Sequence, residues 1–176
     1  CGARLAENKK TCHQNAPYRL AAAAPYADEG IKSLIWRLKY ERRASAAIPL
    51  AALIARHFST INIALKNYTI TPIPLHPARL RERGFNQAEL IAEKLAELTD
   101  LEMASGILAR VIPTAPQAES GGRAAREKNL QGAFRVSRPE FVAGKNFLVV
   151  DDVFTTGATI NEAVAALRGA GAGHIT

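Results

Sequence analysis

The apolar positions of the chain fall into short runs that alternate with helical stripes. Phe147–Val150 is a run of four apolar residues behind the turn Gly144–Asn146, which is typical of a buried strand. The apolar stripe of a helix follows at Ile160, Val164, Ala165 and Leu167. Because a strand, a loop and a helix in this order are the repeating unit of parallel sheets, the pattern predicts an α/β fold.

A second unit of the same kind lies earlier in the chain. Tyr68–Ile73 alternates and ends among prolines, which predicts a strand, and Gln87–Leu98 predicts an amphipathic helix. The apolar stripe of that helix is formed by Ala88, Ile91, Leu95 and Leu98. Further strands are predicted at Tyr18–Tyr26, Gly106–Ile112 and His174–Thr176.

Two more helices are predicted near the beginning of the chain. The first covers Gly30–Tyr40 with Asp28 as its N-cap, and its apolar stripe consists of Ile31, Leu34, Ile35 and Leu38. Trp36 is expected to pack in the core or in an interface rather than to stack on a base. The second helix covers Ser45–Phe58, with Ser45 as its cap.

Composition fits one medium-sized domain with anionic partners. The 176 residues are 48% hydrophobic and 22% charged, which is enough apolar material for a sizeable core. The formal net charge of +7 suits pyrophosphate, nucleotides or nucleic acid, although such a surplus also serves solubility alone. No apolar run approaches the roughly 18–20 residues of a membrane span. Two cysteines and no visible signal peptide predict a reducing cytoplasm.

Residues 1–17 carry both cysteines and little apolar material, so we separate them from a domain over residues 18–176. Cys1 and Cys12 are candidate zinc ligands, but a structural zinc site needs four ligands, and Asn15 stands where a second cysteine of a pair would be. A terminal segment with two unpaired thiols is the favoured alternative. The start at Cys1 and the stop inside a predicted strand are read as a fragment of a longer chain.

The loop after Phe147–Val150 carries the chemistry of a sugar-phosphate site. Asp151 and Asp152 come first, and Thr155–Thr159 then supplies hydroxyls and free amides at a helix N-terminus, where an anion is favoured. Two carboxylates beside such a loop suit vicinal sugar hydroxyls. Nowhere does the sequence contain the G-x-x-x-x-G-K-[ST] pattern of nucleoside-triphosphate loops. The alternative is a core strand followed by two solvated acids and an ordinary helix start.

The loop after Tyr68–Ile73 is rich in arginine. Arg79, Arg81 and Arg83 follow Leu75 and His76 in a segment stiffened by prolines. Guanidinium groups bind phosphates in a bidentate fashion, so this loop is a candidate pyrophosphate-binding element. Alternatively, the arginines pair with Glu82 and solvent. Residues 113–129 are polar and glycine-containing, which fits either a lid over the site or an ordinary exposed loop.

The acid pair and the threonine loop closely resemble the 5-phosphoribosyl-1-pyrophosphate (PRPP) signature of type I phosphoribosyltransferases. Together with R-x-R-G-F-N-Q at Arg81–Gln87, the D-D-V-x-T-T-G-x-T stretch at Asp151–Thr159 resembles the ComF family of competence-associated proteins. The matching stretches span the chain from about residue 18 to its end. The resemblance implies a Rossmann-like type I phosphoribosyltransferase domain and a role in the uptake of transforming DNA. Members of this family usually begin with a four-cysteine zinc module.

The resemblance also implies roles for individual residues. The two acids, Asp151 and Asp152, would bind the ribose hydroxyls of PRPP and stabilise charge during transfer, with Mg²⁺ bound through the substrate. The 5′-phosphate would be bound by Thr155, Thr156, Gly157, Ala158 and Thr159. The pyrophosphate side would be formed by Leu75, His76, Arg79, Arg81 and Arg83. The chain would then be a pentosyl transferase acting on an unidentified acceptor; the alternative is a non-catalytic, PRPP-responsive protein that binds single-stranded DNA.

Overall fold

A computed structural model describes residues 18–60, 65–113 and 131–176. The predictions made for Cys1, Cys12 and most of the 113–129 loop therefore lie outside the described residues. In chain order, the elements are α1 (Glu29–Tyr40), α2 (Ala47–Thr60), β1 (Tyr68–Pro72), α3 (Pro77–Arg83), α4 (Gln87–Thr99), β2 (Leu108–Arg110), β3 (Phe134–Val136), β4 (Asn146–Val150) and α5 (Ala158–Gly169).

Strands β1 and β4 form the centre of a parallel sheet. Tyr68 pairs with Asn146 and Pro72 with Val150, so the two strands run in register over their whole length. A parallel bridge joins Ile70 to Met103 on the outer side of β1, and another joins Phe147 to Ile175 on the outer side of β4. The second bridge confirms the strand expected at the end of the chain. The predicted α/β fold with a parallel sheet is confirmed.

Each face of this sheet is covered by a separate apolar cluster. Phe147 is fully buried against α5 and the β2–β3 pair, whereas the next residue, Leu148, packs with α1, α2 and α4. Side chains of a strand alternate between the two faces of a sheet, so β4 must be apolar at successive positions to contribute to both clusters. This explains the continuous apolar run in the sequence.

Several predicted helix details are confirmed, and others are wrong. Asp28 caps α1, since its carboxylate accepts the amide of Ile31 at 3.0 Å. Ser45 is not the cap of α2; it lies in a 3-10 turn, Ala44–Ala46, that leads into the helix. Leu98 is 55% exposed and Ala165 is also exposed. Leu98 lies in the last turn of α4, and α5 buries Ala163 in place of Ala165.

The predicted strand at Tyr18–Tyr26 is wrong, since these described residues form no strand. A backbone bond to the sheet runs from the amide of Arg19 to the carbonyl of Ile175, at 2.9 Å. The segment is rich in alanine and contains Pro25, and both are disfavoured in strands. Within the described ranges, no helix combines the length and apolarity needed to cross a bilayer.

Candidate functional site

The loops that follow β1 and β4 open into one cavity. Because these strands are parallel neighbours, their carboxyl ends lie at the same edge of the sheet, where ligands bind in α/β folds. The amide of Ile73 extends the pairing by donating to the carbonyl of Val150 at 2.9 Å. A cavity of about 1010 Å³ at this edge is lined by residues of both loops, including Leu75, His76, Arg79, Arg83, Asp151, Asp152, Thr155, Gly157, Ala158 and Thr159.

The acid pair leaves β4 at the floor of this cavity. The Asp151 carboxylate accepts the backbone amide of Asp152 at 2.8 Å. The Asp152 carboxylate pairs with the ammonium of Lys39 at 2.7 Å, and both side chains are largely buried. Burial, and then the neighbouring charge of Asp152, raise the pKa of Asp151 to about 7. Each carboxylate has two oxygens that accept hydrogen bonds, so the pair also has capacity to accept hydroxyl donors.

The threonine loop has the backbone geometry of an anion site. Gly157 is the N-cap residue of α5, with φ of 83°, and it has no side chain that could cap the helix. A side chain at Gly157 would also clash, since its Cβ would come within 2.8 Å of the Phe154 ring. The start of α5 lines the cavity through Gly157, Ala158 and Thr159. The first amides of a helix lack intrahelical acceptors, and the helix dipole favours a negative charge there.

The five residues of this loop are not equivalent. Thr155, Gly157, Ala158 and Thr159 line the cavity. The hydroxyl of Thr156 instead accepts the amide of Ala158 at 3.4 Å, and Thr156 is not among the lining residues. We therefore expect Thr156 to shape the turn and its neighbours to contact the ligand.

The arginine-rich segment is a short helix, α3, rather than an open loop, and this changes which arginines reach the site. Arg79 and Arg83 are four residues apart on one helix face, are partly buried, and line the cavity. Arg81 projects from another side of α3, where it is exposed and contributes nothing to the cavity lining. Of the three arginines predicted for the pyrophosphate side, the structure therefore brings Arg79 and Arg83 together but not Arg81. In the part of the chain that the structure describes, no ion pair links these arginines to Glu82.

Neighbouring side chains fix the orientation of α3 and of Arg83. His76 caps α3, since its Nδ1 accepts the amide of Ala78 at 3.3 Å. The side chain of Asn86 stabilises the fold, because its Nδ2 donates to the carbonyl of Ile73 and its Oδ1 accepts from the amide of Ala88. Gln87 is 2% exposed, and its Oε1 accepts from the guanidinium of Arg83 at 2.7 Å. Arg83 is therefore held by a rigid partner.

Sequence reasoning did not assign two cations to the site, nor the face of α1 that lines the cavity. In the sequence, Lys39 is one of several basic residues near the end of the first predicted helix, and in the structure it pairs directly with Asp152. Arg110, at the end of β2, lines the same cavity and lies 5.6 Å above the Phe134 ring. Burial lowers the pKa of Arg110, and the nearby charge of Asp151 opposes that shift. In the sequence, Arg110 is an arginine inside the predicted strand Gly106–Ile112, and this pattern does not show that it faces the site.

A second cavity, of about 1160 Å³, lies at the opposite edge of the sheet, near the beginnings of β1 and β4. Its lining includes Lys66, Asn67 and Lys145, and it contains neither the acid pair nor the threonine loop. We assign the candidate site to the carboxyl edge, because the cavity there is lined by the acid pair, by Arg79 and Arg83, and by the start of α5.

No group of three or more histidine, cysteine, aspartate or glutamate residues could hold a metal ion among the described residues. Asp151 and Asp152 alone are too few for an all-protein cage. However, they fit Mg²⁺, which in nucleotide and phosphate sites is commonly bound by one or two carboxylates together with substrate oxygens.

Comparison with known proteins agrees with this geometry. Residues 44–176 match the family model described as phosphoribosyl transferase domain. The DNA utilization protein YhgH of Escherichia coli K12 is 33% identical over 172 residues, covering 93% of this chain and 73% of that protein. Competence protein F of Haemophilus influenzae is 32% identical over 155 residues, covering 84% of this chain and 66% of that protein. The chain belongs to the ComF family.

Competence protein ComFC of Streptococcus pneumoniae is also similar, with 34% identity over 113 residues, 61% of this chain and 44% of that protein. The parallel sheet of this ComF-family chain is thus the sheet of an α/β type I phosphoribosyltransferase fold. The family match does not cover residues 1–17, so the separate N-terminal segment and its zinc ligands stay predictions.

The raised pKa of Asp151 makes the stability of this ComF-family domain depend on pH. An unfolded Asp151 ionises near 3.8, whereas the folded residue ionises near 7. The folded state therefore loses stability from this residue as the pH rises from about 4 to about 7. Asp151→Asn removes the effect but keeps an oxygen that can accept the Asp152 amide.

We expect the melting temperature of Asp151→Asn, relative to that of the unmodified chain, to increase by a few degrees across this pH range and then level off. Thermal unfolding at a series of pH values would measure it. If the melting temperatures of the two proteins changed in the same way with pH, the burial assigned to the Asp151 carboxyl would be contradicted.

Proposed function

We propose that the cavity at the carboxyl edge of the sheet binds PRPP. The observation that carries this proposal is the parallel pairing of β1 with β4, because it places the acid pair and threonine loop in the same cavity as Arg79 and Arg83. One sugar phosphate that bears a pyrophosphate group would use all of these elements together.

Each part of the substrate has a chemically suited partner. The 2′- and 3′-hydroxyls of the ribose would donate to Asp151 and Asp152. The 5′-phosphate would accept from the first-turn amides of α5 and from the hydroxyls of Thr155 and Thr159. The pyrophosphate would face Arg79 and Arg83, with His76 and Leu75 closing that side.

Mg²⁺ would be bound by the substrate's oxygens and by Asp151 and Asp152, and would supply neutralising charge beside the pyrophosphate. The chain's own residues would act on the sugar. The carboxylates of Asp151 and Asp152 would stabilise positive charge that develops on the ribose ring. Arg79 and Arg83 would stabilise the negative charge of the departing group.

The reaction we propose is transfer of the phosphoribosyl group to an acceptor. The bond between the anomeric carbon and the pyrophosphate oxygen breaks, and pyrophosphate leaves with its electron pair. A lone pair of the acceptor, a nitrogen atom or water, forms the new bond, with inversion at the anomeric carbon. The displaced proton of the acceptor passes to solvent or to pyrophosphate.

Release of pyrophosphate tests this activity directly. The protein would be incubated with PRPP and Mg²⁺, with and without nucleobases or single-stranded DNA as acceptors, and pyrophosphate would be measured enzymatically. We expect release that requires both acids. Turnover would be contradicted if, under all acceptor conditions, the unmodified chain released no more pyrophosphate than the Asp151→Asn, Asp152→Asn variant does.

A second function is favoured by the names of the relatives, which refer to DNA utilization and to competence. The chain would then sense PRPP without turning it over and bind single-stranded DNA through its basic surface. Its net charge of +7 is consistent with this role. Affinity for an oligonucleotide that falls steeply with salt would support it, since each neutralised phosphate releases counterions. A cytoplasmic location stays a prediction.

A further inference from the structure

Helix α1 presents two different faces to the molecule. Ile35 and Leu38 are buried in the core cluster that also contains Ile70 and Leu148. The other face lines the cavity that contains the acid pair, and it consists of Glu29, Lys32, Ser33, Trp36, Lys39 and Tyr40. The sequence indicated the first face but gave no function to the second.

Large exposed aromatic side chains are concentrated on this cavity wall. In the described ranges, the aromatic residues with large exposed side chains are Tyr26, Trp36, Tyr40 and Phe141, exposed by 51%, 53%, 65% and 47%. The first three line the cavity, whereas Phe141 does not. Trp36 was expected in the core or in an interface, and its exposure shows that it is not a core residue. Exposed apolar rings beside a polar cavity indicate a surface for a ligand.

The geometry of Trp36 and Tyr40 leaves ring surface available. Their ring centroids are 5.8 Å apart, and the planes are tilted by 43°, so the rings contact each other without covering each other face to face. They are four residues apart, which places them on one side of the helix. A planar ring could thus pack against Trp36 without displacing Tyr40.

Lys39 ties this aromatic wall to the proposed sugar site. Its ammonium lies 2.7 Å from the Asp152 carboxylate, and Lys39 stands between Trp36 and Tyr40 in α1. Arg42, just after α1, donates to the carbonyl of Glu82 in α3 at 3.2 Å. These contacts fix α1 against both the acid pair and the arginine helix.

We propose that Trp36 and Tyr40 form a stacking surface for a nucleobase, carried by a nucleotide or by a single strand of nucleic acid. The inference rests on the proposed function, since it assigns the acceptor side of the same cavity. Base–aromatic stacking accepts any base through its π face, and cations near the rings suit a ligand with phosphates. Lys32 and Lys39 line the cavity with the rings, where Lys32 pairs with Glu29 and Lys39 with Asp152.

Trp36 is the one tryptophan of the 176-residue sequence, so its fluorescence reports on this wall alone. Titration with AMP and, separately, with a 12-residue oligothymidylate should quench the emission in a saturable way. Quenching by AMP would identify a free nucleotide as a ligand, and quenching by the oligonucleotide would identify a strand. Quenching by neither would overturn the proposal.

Variants test whether the rings carry the binding energy. For Trp36→Ala, we expect about a tenfold or greater loss of affinity for whichever ligand binds, because truncating a stacking side chain has effects of this size. Binding would be measured with a fluorescently labelled ligand, by anisotropy. Phe141→Ala is the matched control, since it removes a similarly exposed ring outside the cavity. The affinity of this variant for the same ligand should stay within about twofold of that of the unmodified chain.

PRPP binding separates this inference from the proposed function. The Phe141→Ala variant should bind PRPP with unchanged affinity, because Phe141 lies outside the cavity that contains the acids, the threonine loop and the arginines. If the unmodified chain binds the base but not PRPP, the stacking surface stands and the proposed function fails. If it binds PRPP and Trp36→Ala still binds the base as tightly as Phe141→Ala does, the stacking surface is wrong.

Discussion

Replacing Asp151 and Asp152 together by asparagine should reduce the affinity for PRPP by roughly 100-fold or more. At a pH above the pKa of Asp151, which is about 7, each substitution removes an ionised acceptor, and hydrogen bonds to charged groups contribute more than neutral ones, about 1.5–3 kcal/mol each. The variant also loses the carboxylates that would share Mg²⁺ with the substrate. Calorimetry with PRPP and Mg²⁺ would measure the loss.

The double variant is expected to stay folded. Asparagine at position 151 still accepts the amide of residue 152, and loss of the Lys39 ion pair leaves an ammonium that is 21% exposed to water. Far-UV circular dichroism and thermal unfolding would check this. PRPP binding of undiminished affinity by the folded double variant would show that the acids are not part of the sugar site.

Replacing Arg79 and Arg83 together by glutamine should weaken the binding of both PRPP and free pyrophosphate by about 10- to 100-fold. Both guanidinium groups line the cavity, and Arg83 is oriented by the buried Gln87. Because the loss concerns the pyrophosphate side, the affinity for ribose 5-phosphate should change far less. Competition binding with the three ligands would distinguish these effects.

Arg81→Gln is the matched control for this pair. It removes the same charge from the same helix, but Arg81 is exposed and contributes nothing to the cavity lining. At physiological salt, we expect an affinity within about twofold of that of the unmodified chain, since exposed charges are screened beyond about 8 Å. Equal losses for Arg81→Gln and the Arg79, Arg83 variant would mean that α3 acts only through its overall charge.

The centre of the fold and the main loops of the site were predictable from short-range patterns. The apolar run at Phe147–Val150 identified β4, and the acids and threonines after it had to emerge at the carboxyl end of that strand. Tyr68–Ile73 identified β1 in the same way. Parallel pairing of the two strands then follows from the α/β pattern, and it brings the two loops together.

The remaining site residues depend on tertiary packing. The alternating spacing of Arg79, Arg81 and Arg83 indicated one group, but the helix formed by α3 directs Arg81 away from its neighbours. The outward face of α1 was visible in the helical pattern, yet nothing in the sequence showed that it faces the acid pair. Lys39 and Arg110 reach the cavity from elements distant in the chain, so no local pattern contained them.

The most direct test of a PRPP site is a calorimetric titration of the chain with PRPP in the presence of Mg²⁺. The structure predicts saturable binding of one PRPP per chain. Free pyrophosphate and ribose 5-phosphate should each compete with PRPP for this site. Absence of PRPP binding by a chain shown to be folded would contradict the account, because both loops that form the cavity are contained in it.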